Sequence, residues 1–428
     1  MSDSNRLAIL CGGGPAPGIN SVIGAATICA ALTGARVLGI RDGFKWLMQG
    51  NAEHVTPLTI ENISRIHFTG GSYIGTSRAN PTKDPSLLEA TTAALERLGV
   101  DKLITIGGDD TAFSAMRLAT HSEGRLRVVH VPKTIDNDLD LPQGTATFGY
   151  QTARHIGVEI VKNLMVDART TGRWYLLITM GRKAGHLALG IGKAASATLT
   201  IIPEEFGTAG VRLDHLTDIL AGAIIKRRAD GRDDGTAVLA EGLIEKLTEE
   251  DLGTFGNIER DEHDHVRLAE VNLGDVVKVR LRQRLAELGL PTTLVVKDIG
   301  YELRSADPIP VDMEYTRDLG YCAANYLMAG GGDAMVTLVD GHFRPVPFKQ
   351  MLDPETGRTR VRLVDVSSEH YKIARRYMVR LRAEDFDDAT TLARLASAAN
   401  TTIDEFKQQF CYVVENDVPL LDLKVAAA

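Results

Sequence analysis

Strand-like and helix-like segments alternate along most of this chain. Leu7-Ala8-Ile9-Leu10 predicts a strand, followed by a glycine turn, an Ala-rich helix from about Asn20 to Leu32 and a second strand from Arg36 to Ile40. Strands are also expected from Lys102 to Ile106 and from Leu126 to Val131, the former leading into a helix whose start is marked by the capping residues Asp110 and Thr111. A turn-rich passage with Pro142 and Gly144 precedes a long helix from about Gln151 to Val166. A second series then begins. Strands are expected at Arg173 to Thr179, Thr198 to Ile202, Thr236 to Ala240 and Thr292 to Lys297. They are separated by helices at Lys183 to Ala195, Leu216 to Arg228 and Val276 to Leu288. Such alternation predicts an α/β fold with parallel sheets flanked by helices, in two sheet domains with a cleft between them. The stretch from Asn257 to Asp264 reads as a polar loop or insertion. Past about Phe348 the pattern weakens into a charged and Ala-rich helical C-terminal extension, with a helix from Asp387 to Ala399.

Composition narrows the class. A hydrophobic content of 44% with 24% charged residues is ordinary for a globular protein, and 428 residues suffice for two or three domains. The net charge of −8 is spread along the chain without a basic tract, which argues against nucleic acid and requires local Arg and Lys side chains for any phosphorylated ligand. Cys11, Cys29, Cys322 and Cys411 form no CxxC pair and fit free thiols in a reducing compartment. No apolar run approaches the ~20 residues of a membrane span, and Met1 to Arg6 lacks the regions of a signal peptide. A cytoplasmic protein is expected.

The chemistry concentrates where two strands end. Ile106-Gly107-Gly108-Asp109-Asp110-Thr111 follows one, and Pro132-Lys133-Thr134-Ile135-Asp136-Asn137-Asp138 follows the next. Open α/β sheets bind ligands at the carboxyl ends of their strands. Four carboxylates and an ammonium there suit a magnesium-bound polyphosphate facing a hydroxyl that must lose its proton, so phosphoryl transfer is the leading reading. Asp at a helix start is often only a cap, but two adjacent acids repel unless a cation or donors compensate. The turn Cys11 to Asn20 (CGGGPAPGIN) could present backbone N–H groups to an anion or serve packing alone, and the two readings are even. Gly70 to Arg78 (GGSYIGTSR) ends in a guanidinium suited to phosphate, though a lone loop Arg is more often just solvated. Met180-Gly181-Arg182 and Ala240-Glu241-Gly242 end strands of the second series, where an Arg and a carboxylate could take a sugar phosphate; each is weak alone. His263 and His265 could be a metal pair but read better as solvent-exposed, and His186 as a packed or surface residue.

In this order the motifs resemble the 6-phosphofructokinase family over roughly Leu7 to Asp340. Gly12 to Asn20 matches GGDAPGxN, with Gly14-Pro15 in place of Gly-Asp, and Gly70 to Arg78 matches GGTxLGSxR. Gly107 to Thr111 matches GGDGS, and Thr134 to Asp138 is TIDND. Gly300-Tyr301-Glu302-Leu303-Arg304 corresponds to GHxxR with Tyr301 in place of His. The resemblance implies two Rossmann-like domains. Residues 1–148, completed by about 305–350, would take the phosphoryl donor, residues 149–304 the sugar phosphate, and residues 351–428 would be the helical extension. It also implies transfer to O1 of fructose 6-phosphate with Mg²⁺ held by Asp109 and Asp136 as proton acceptor. Gly14 and Arg78 would touch the donor. Thr134, Ile135, Asp136, Met180, Gly181, Arg182, Glu241, Tyr301 and Arg304 would bind the sugar phosphate, with Arg173 contributing from the same or a second subunit of a homodimer or larger assembly.

Two departures bear on the donor. ATP-using members carry Gly where this chain has Asp110 and Lys133, and the pair resembles the pyrophosphate-dependent branch. A carboxylate at Asp110 would occupy the place of a nucleotide α-phosphate, and an ammonium at Lys133 would balance charge on the leaving phosphate. The expectation is reversible phosphoryl transfer from pyrophosphate to fructose 6-phosphate, a step of glycolysis and gluconeogenesis. An ATP-dependent kinase is the nearest rival. A non-catalytic sugar-phosphate sensor would be marked by loss of Asp109 or Asp136, and both are present; a nicotinamide-nucleotide kinase has no use for Thr134 to Asp138.

Overall fold

The protein is represented by a computed structural model that describes residues 5–142, 144–253, 272–353, 355, 359–415 and 417. The polar stretch from Asn257 to Asp264 and the pair His263 and His265 lie outside the described residues. The chain forms two compact units, Met1–Ala153 with Tyr301–Arg362, and Arg154–Gly300 with Leu363–Ala428.

The first unit begins with β1 (Arg6–Cys11), α1 (Ile19–Leu32), β2 (Arg36–Ile40), β3 (Val55–Leu58), α2 (Ile60–Ile63), α3 (Pro85–Arg97), β4 (Lys102–Gly107), α4 (Asp109–His121), β5 (Arg127–Thr134) and β6 (Phe148–Gly149). Helix α5 (Tyr150–Thr171) follows. The second unit continues with β7 (Trp174–Thr179), α6 (His186–Ala195), β8 (Leu199–Ile201), α7 (Leu213–Ala229), β9 (Gly235–Ala240), α8 (Glu249–Gly253), α9 (Leu273–Glu287) and β10 (Leu294–Ile299). The chain returns to the first unit through α10 (Tyr301–Arg304), α11 (Pro310–Met328), β11 (Ala334–Met335), the hairpin β12 (Leu338–Val339) and β13 (His342–Phe343), and β14 (Val346–Pro347). It ends in the second unit with α12 (Glu369–Tyr377), α13 (Ala383–Asp387), α14 (Ala389–Ala398) and α15 (Ile403–Phe410).

Among the described residues the first sheet runs β14-β11-β5-β4-β1-β2-β3, with β6 against β5. Only the β2–β3 and β11–β14 pairs are antiparallel. Its strands are apolar on both faces because both are covered. Leu7, Ile9, Ile104, Ile106, Val129 and Val131 pack beneath α1 and α11. Their neighbours Ala8, Leu10, Leu103 and Val128 pack on the other side beneath α3 and α4. Gly320 lets α11 approach α1 closely, since a Cβ there would lie 2.5 Å from the Val22 carbonyl oxygen. The second unit has a parallel sheet in the order β10-β7-β9-β8.

One local expectation changes. Helix α4 is capped by Gly108, with no side-chain hydrogen bond, so Asp109 and Asp110 both lie in its first turn. The expected helix from Asp387 to Ala399 is observed as α14, whose start is set by Asp388, a cap whose side chain accepts from Thr391 N at 2.9 Å.

A buried carboxylate fastens the α5 start inside the first unit. Asp312, 1% exposed in α11, accepts from Gly149 N at 3.0 Å, Thr152 N at 2.7 Å and Thr152 Oγ1 at 2.6 Å. Burial pushes its pKa up and the three donors pull it back. Removing the acceptor orphans buried donors, so Asp312→Ala should lower the unfolding free energy by about 3 kcal/mol in urea titrations. A loss below about 1 kcal/mol would contradict this account of the α5 start.

Candidate active site

Three strand ends of the first unit are laced together. After β1, Gly12 N donates to Ile106 O and Gly13 N to Ser77 O, both at 2.8 Å. Thr76 Oγ1 donates to Gly13 O at 2.7 Å, and Ser77 Oγ to Asp42 O at 2.6 Å. Buried Asn20, at the start of α1, holds the 69–73 loop through its amide, giving to Thr69 O and Gly70 O and taking from Tyr73 N. That loop leads to Arg78, which is exposed. Thr111 fills the space under two glycines: a Cβ on either Gly12 or Gly107 would overlap its side chain.

Lys133, at the end of β5, is only 5% exposed, and its Nζ donates to the Gly14 carbonyl oxygen. Arg304 comes from α10, and its guanidinium occupies the space a side chain at position 14 would need. The guanidinium therefore lies directly against Gly14, while Gly13 adopts φ +80, a left-handed conformation natural to glycine. Arg304 Cζ also lies 5.6 Å from the ring centre of exposed Tyr301. Gly14, Lys133 and Arg304 are thus one cluster. Asp109 is half-buried and Asp110 exposed, both at the amino end of α4, where the helix dipole favours negative charge.

The segment after β5 is folded on itself. Ile135 is buried, Asp136 half-buried, and Asp136 N donates to Thr134 Oγ1 at 3.0 Å. Thr147 Oγ1 donates to Thr134 O at 2.7 Å, and Asn137 adopts φ 58.

The second unit positions its expected residues separately. Met180 follows β7, and a Cβ on Gly300 would lie 2.8 Å from its Cγ. Glu241, after β9, accepts from Gly181 N at 3.1 Å and from Arg182 N at 2.8 Å, both through Oε1. Part of its role is thus to hold the Gly181-Arg182 turn, in which Arg182 has φ 48 and an exposed side chain. Arg173, just before β7, places Nε 3.8 Å from Asp167 Oδ2, which also accepts from Tyr175 Oη at 2.5 Å.

One buried group was not signalled by any motif. His130 on β5 is fully buried, with Nε2 3.0 Å from Gly107 O and Nδ1 2.9 Å from Thr105 Oγ1. It braces the turn that carries Asp109. Arg362, equally unsignalled, reaches the Asn137 segment. Among the described residues no three His, Cys, Asp or Glu side chains form a metal cage.

Comparison with known proteins follows the same lines. The phosphofructokinase family profile matches residues 6–327. Over 417 residues the chain is 52% identical to the pyrophosphate–fructose 6-phosphate 1-phosphotransferase of Thermotoga maritima, covering 96% of this chain and 99% of that one. The chain belongs to the phosphofructokinase family. A Naegleria fowleri protein of the same name is 47% identical over 418 residues, 96% of each chain. The fold of this family member also matches a crystal structure of a pyrophosphate-dependent phosphofructokinase from Nitrosospira multiformis. That match has a TM-score of 0.66 at 17% identity, over 87% of this chain and 91% of that one. The expected α/β fold of the phosphofructokinase type is therefore the observed one.

Burial drives the His130 pKa from 6.5 down to about 3, with the Lys133 charge pushing the same way. The unfolded chain takes up this proton near 6.5 while the folded chain refuses it. The contribution of neutral His130 to stability is thus complete above pH 6.5 and is lost as pH falls from there toward 3. In ¹⁵N-detected NMR the ring should stay neutral down to about pH 5. Protonation near pH 6 would refute the burial argument.

Proposed function

We propose that this chain is a reversible, Mg²⁺-dependent enzyme that transfers a phosphoryl group from pyrophosphate to O1 of fructose 6-phosphate. The observation that carries the donor choice is the buried Lys133 ammonium on the Gly14 carbonyl, together with Asp110 in the first turn of α4. The names of the near-full-length relatives support the same reading. A desolvated ammonium stabilises developing negative charge far better than one in water, because it is fixed in advance. Lys133 is assigned to the charge that grows between the transferring group and the leaving phosphate. Gly14 and Arg78 are assigned to donor contact, and Asp110 to exclusion of a nucleotide α-phosphate by bulk and like charge.

Asp136 is assigned as the base that takes the O1 proton. Thr134, Ile135, Tyr301 and Arg304 of the first unit, and Arg173, Met180, Gly181, Arg182 and Glu241 of the second, are assigned to the sugar phosphate. Asp109 suits Mg²⁺: it is a hard oxygen donor, and magnesium commonly takes one or two carboxylates plus substrate phosphates rather than a full protein cage. The bound ion would neutralise charge on the pyrophosphate oxygens. Because donor and product are both phosphoryl carriers, the reaction is expected to run in both directions. A homodimeric or larger cytoplasmic enzyme of glycolysis and gluconeogenesis completes the proposal. The four free cysteines support a reducing compartment.

The decisive experiment is a donor-by-acceptor assay. Pyrophosphate with fructose 6-phosphate should exceed ATP by at least about 10²-fold in kcat/KM, and equal use of ATP would sink the role of Asp110. In Asp110→Gly, ATP use should become measurable while pyrophosphate turnover falls. Asp136→Asn should lower kcat about 10²-fold or more with little change in either KM, as expected on losing a general base. A folded Asp136→Asn protein with near-normal kcat would remove that residue from the chemistry.

A further inference from the structure

The last segment of the first unit lies against the loop that carries Asp136. Leu139 and Val361 form an antiparallel bridge, and Arg362 N donates to Asp138 O at 2.7 Å. Beside them Arg360 Nε lies 3.2 Å from Asp140 Oδ2. The Arg362 side chain then turns into the loop. Its Nε donates to Asn137 O at 3.1 Å, Nη1 to Thr145 O at 2.6 Å, and Nη2 to Asn137 Oδ1. The same Oδ1 accepts from Thr147 N at 3.1 Å. Asp138 and Asp140 act on the guanidinium electrostatically, so its charge has counter-charges close by.

The residue gripped by this fork turns the chain. Asn137 holds φ 58, a left-handed conformation that Asn tolerates better than most side chains, and it directly follows Asp136. A rigid planar fork with donors spread over three atoms can fix such a turn, whereas a single flexible donor cannot. Arg362 lies beyond residues 6–327, the span that the family profile matches.

We propose that Arg362 is a positioning residue for the base. It fixes the left-handed turn at Asn137 and so sets the direction in which Asp136 presents its carboxylate to the sugar hydroxyl. The inference rests on the assignment of Asp136 above. It predicts a loss that appears in the chemical step, because misplacing a reacting group by about 1 Å can cost 10²-fold in rate without weakening binding.

The test compares R362Q, R362K and N137G with the full-length wild type. R362Q should lower kcat by about 10- to 100-fold and leave both KM values within about twofold. R362K keeps the charge beside Asp138 and Asp140 but not the fork, so it should recover little of the loss. Full recovery in R362K would overturn positioning by the fork. N137G keeps the left-handed backbone but deletes Oδ1. The R362Q/N137G double variant should therefore lose less than the sum of the two single losses, because the Oδ1 contact is already gone, and fully additive losses would overturn the coupling. Hydrogen exchange over Lys133–Leu141 reads the loop without reference to turnover and remains usable if R362Q is inactive. It should speed by at least about tenfold in R362Q, a local opening rather than a global one; unchanged exchange overturns the proposal. The two readings fail differently. No wild-type turnover with either donor condemns the phosphotransferase reading and this role with it. An active wild type with a fully active R362Q condemns Arg362 alone.

Discussion

Lys133 carries a full charge almost out of solvent, and the strand-end loops of the first unit follow from how that charge is accommodated. An ammonium removed from water needs acceptors in place before any ligand arrives. The Gly14 carbonyl provides one, which fixes the direction of the turn after β1. The turn is braced from behind by Thr76 and Ser77 and overlaid by Arg304. Two cations thus flank one glycine turn. The arrangement concentrates positive charge on one short stretch of backbone. His130, on the same strand three residues earlier, stays neutral and adds no third positive charge behind them.

What could be read from the sequence was whatever is local in the chain. The carboxylates and the ammonium after β4 and β5 stand within a few residues of strand ends, so their neighbourhood follows from the connectivity of a parallel sheet. The alternation of strands and helices was legible for the same reason. Partners separated by many residues were not legible. Asp312 and Thr152 are 160 residues apart, and Arg362 and Asn137 are 225 apart. No spacing rule connects them. The cap of α4 was misread because Asp110 and Thr111 are good caps in isolation. Thr111 is instead committed to packing under Gly12 and Gly107.

Glu241 shows how a residue type can be legible while its use is not. A carboxylate after β9 suggests direct contact with hydroxyls of a sugar. Its Oε1 is engaged by the two backbone amides of the turn bearing Arg182. That turn needs such support, since Arg182 adopts a left-handed conformation with a full side chain. The acid and the arginine are therefore coupled before either meets a ligand.

Thr111 has a consequence for how this chain can vary. Its side chain claims the volume that any Cβ at position 12 or position 107 would enter. Those positions lie at the ends of different strands, almost a hundred residues apart in sequence. They nevertheless draw on one small reservoir of space. Descendants of this sequence can alter residues 12, 107 and 111 only as a set, with a smaller residue at 111 appearing before either glycine is replaced. A single hydroxyl-bearing side chain thus sets the order in which two distant loops are free to diverge.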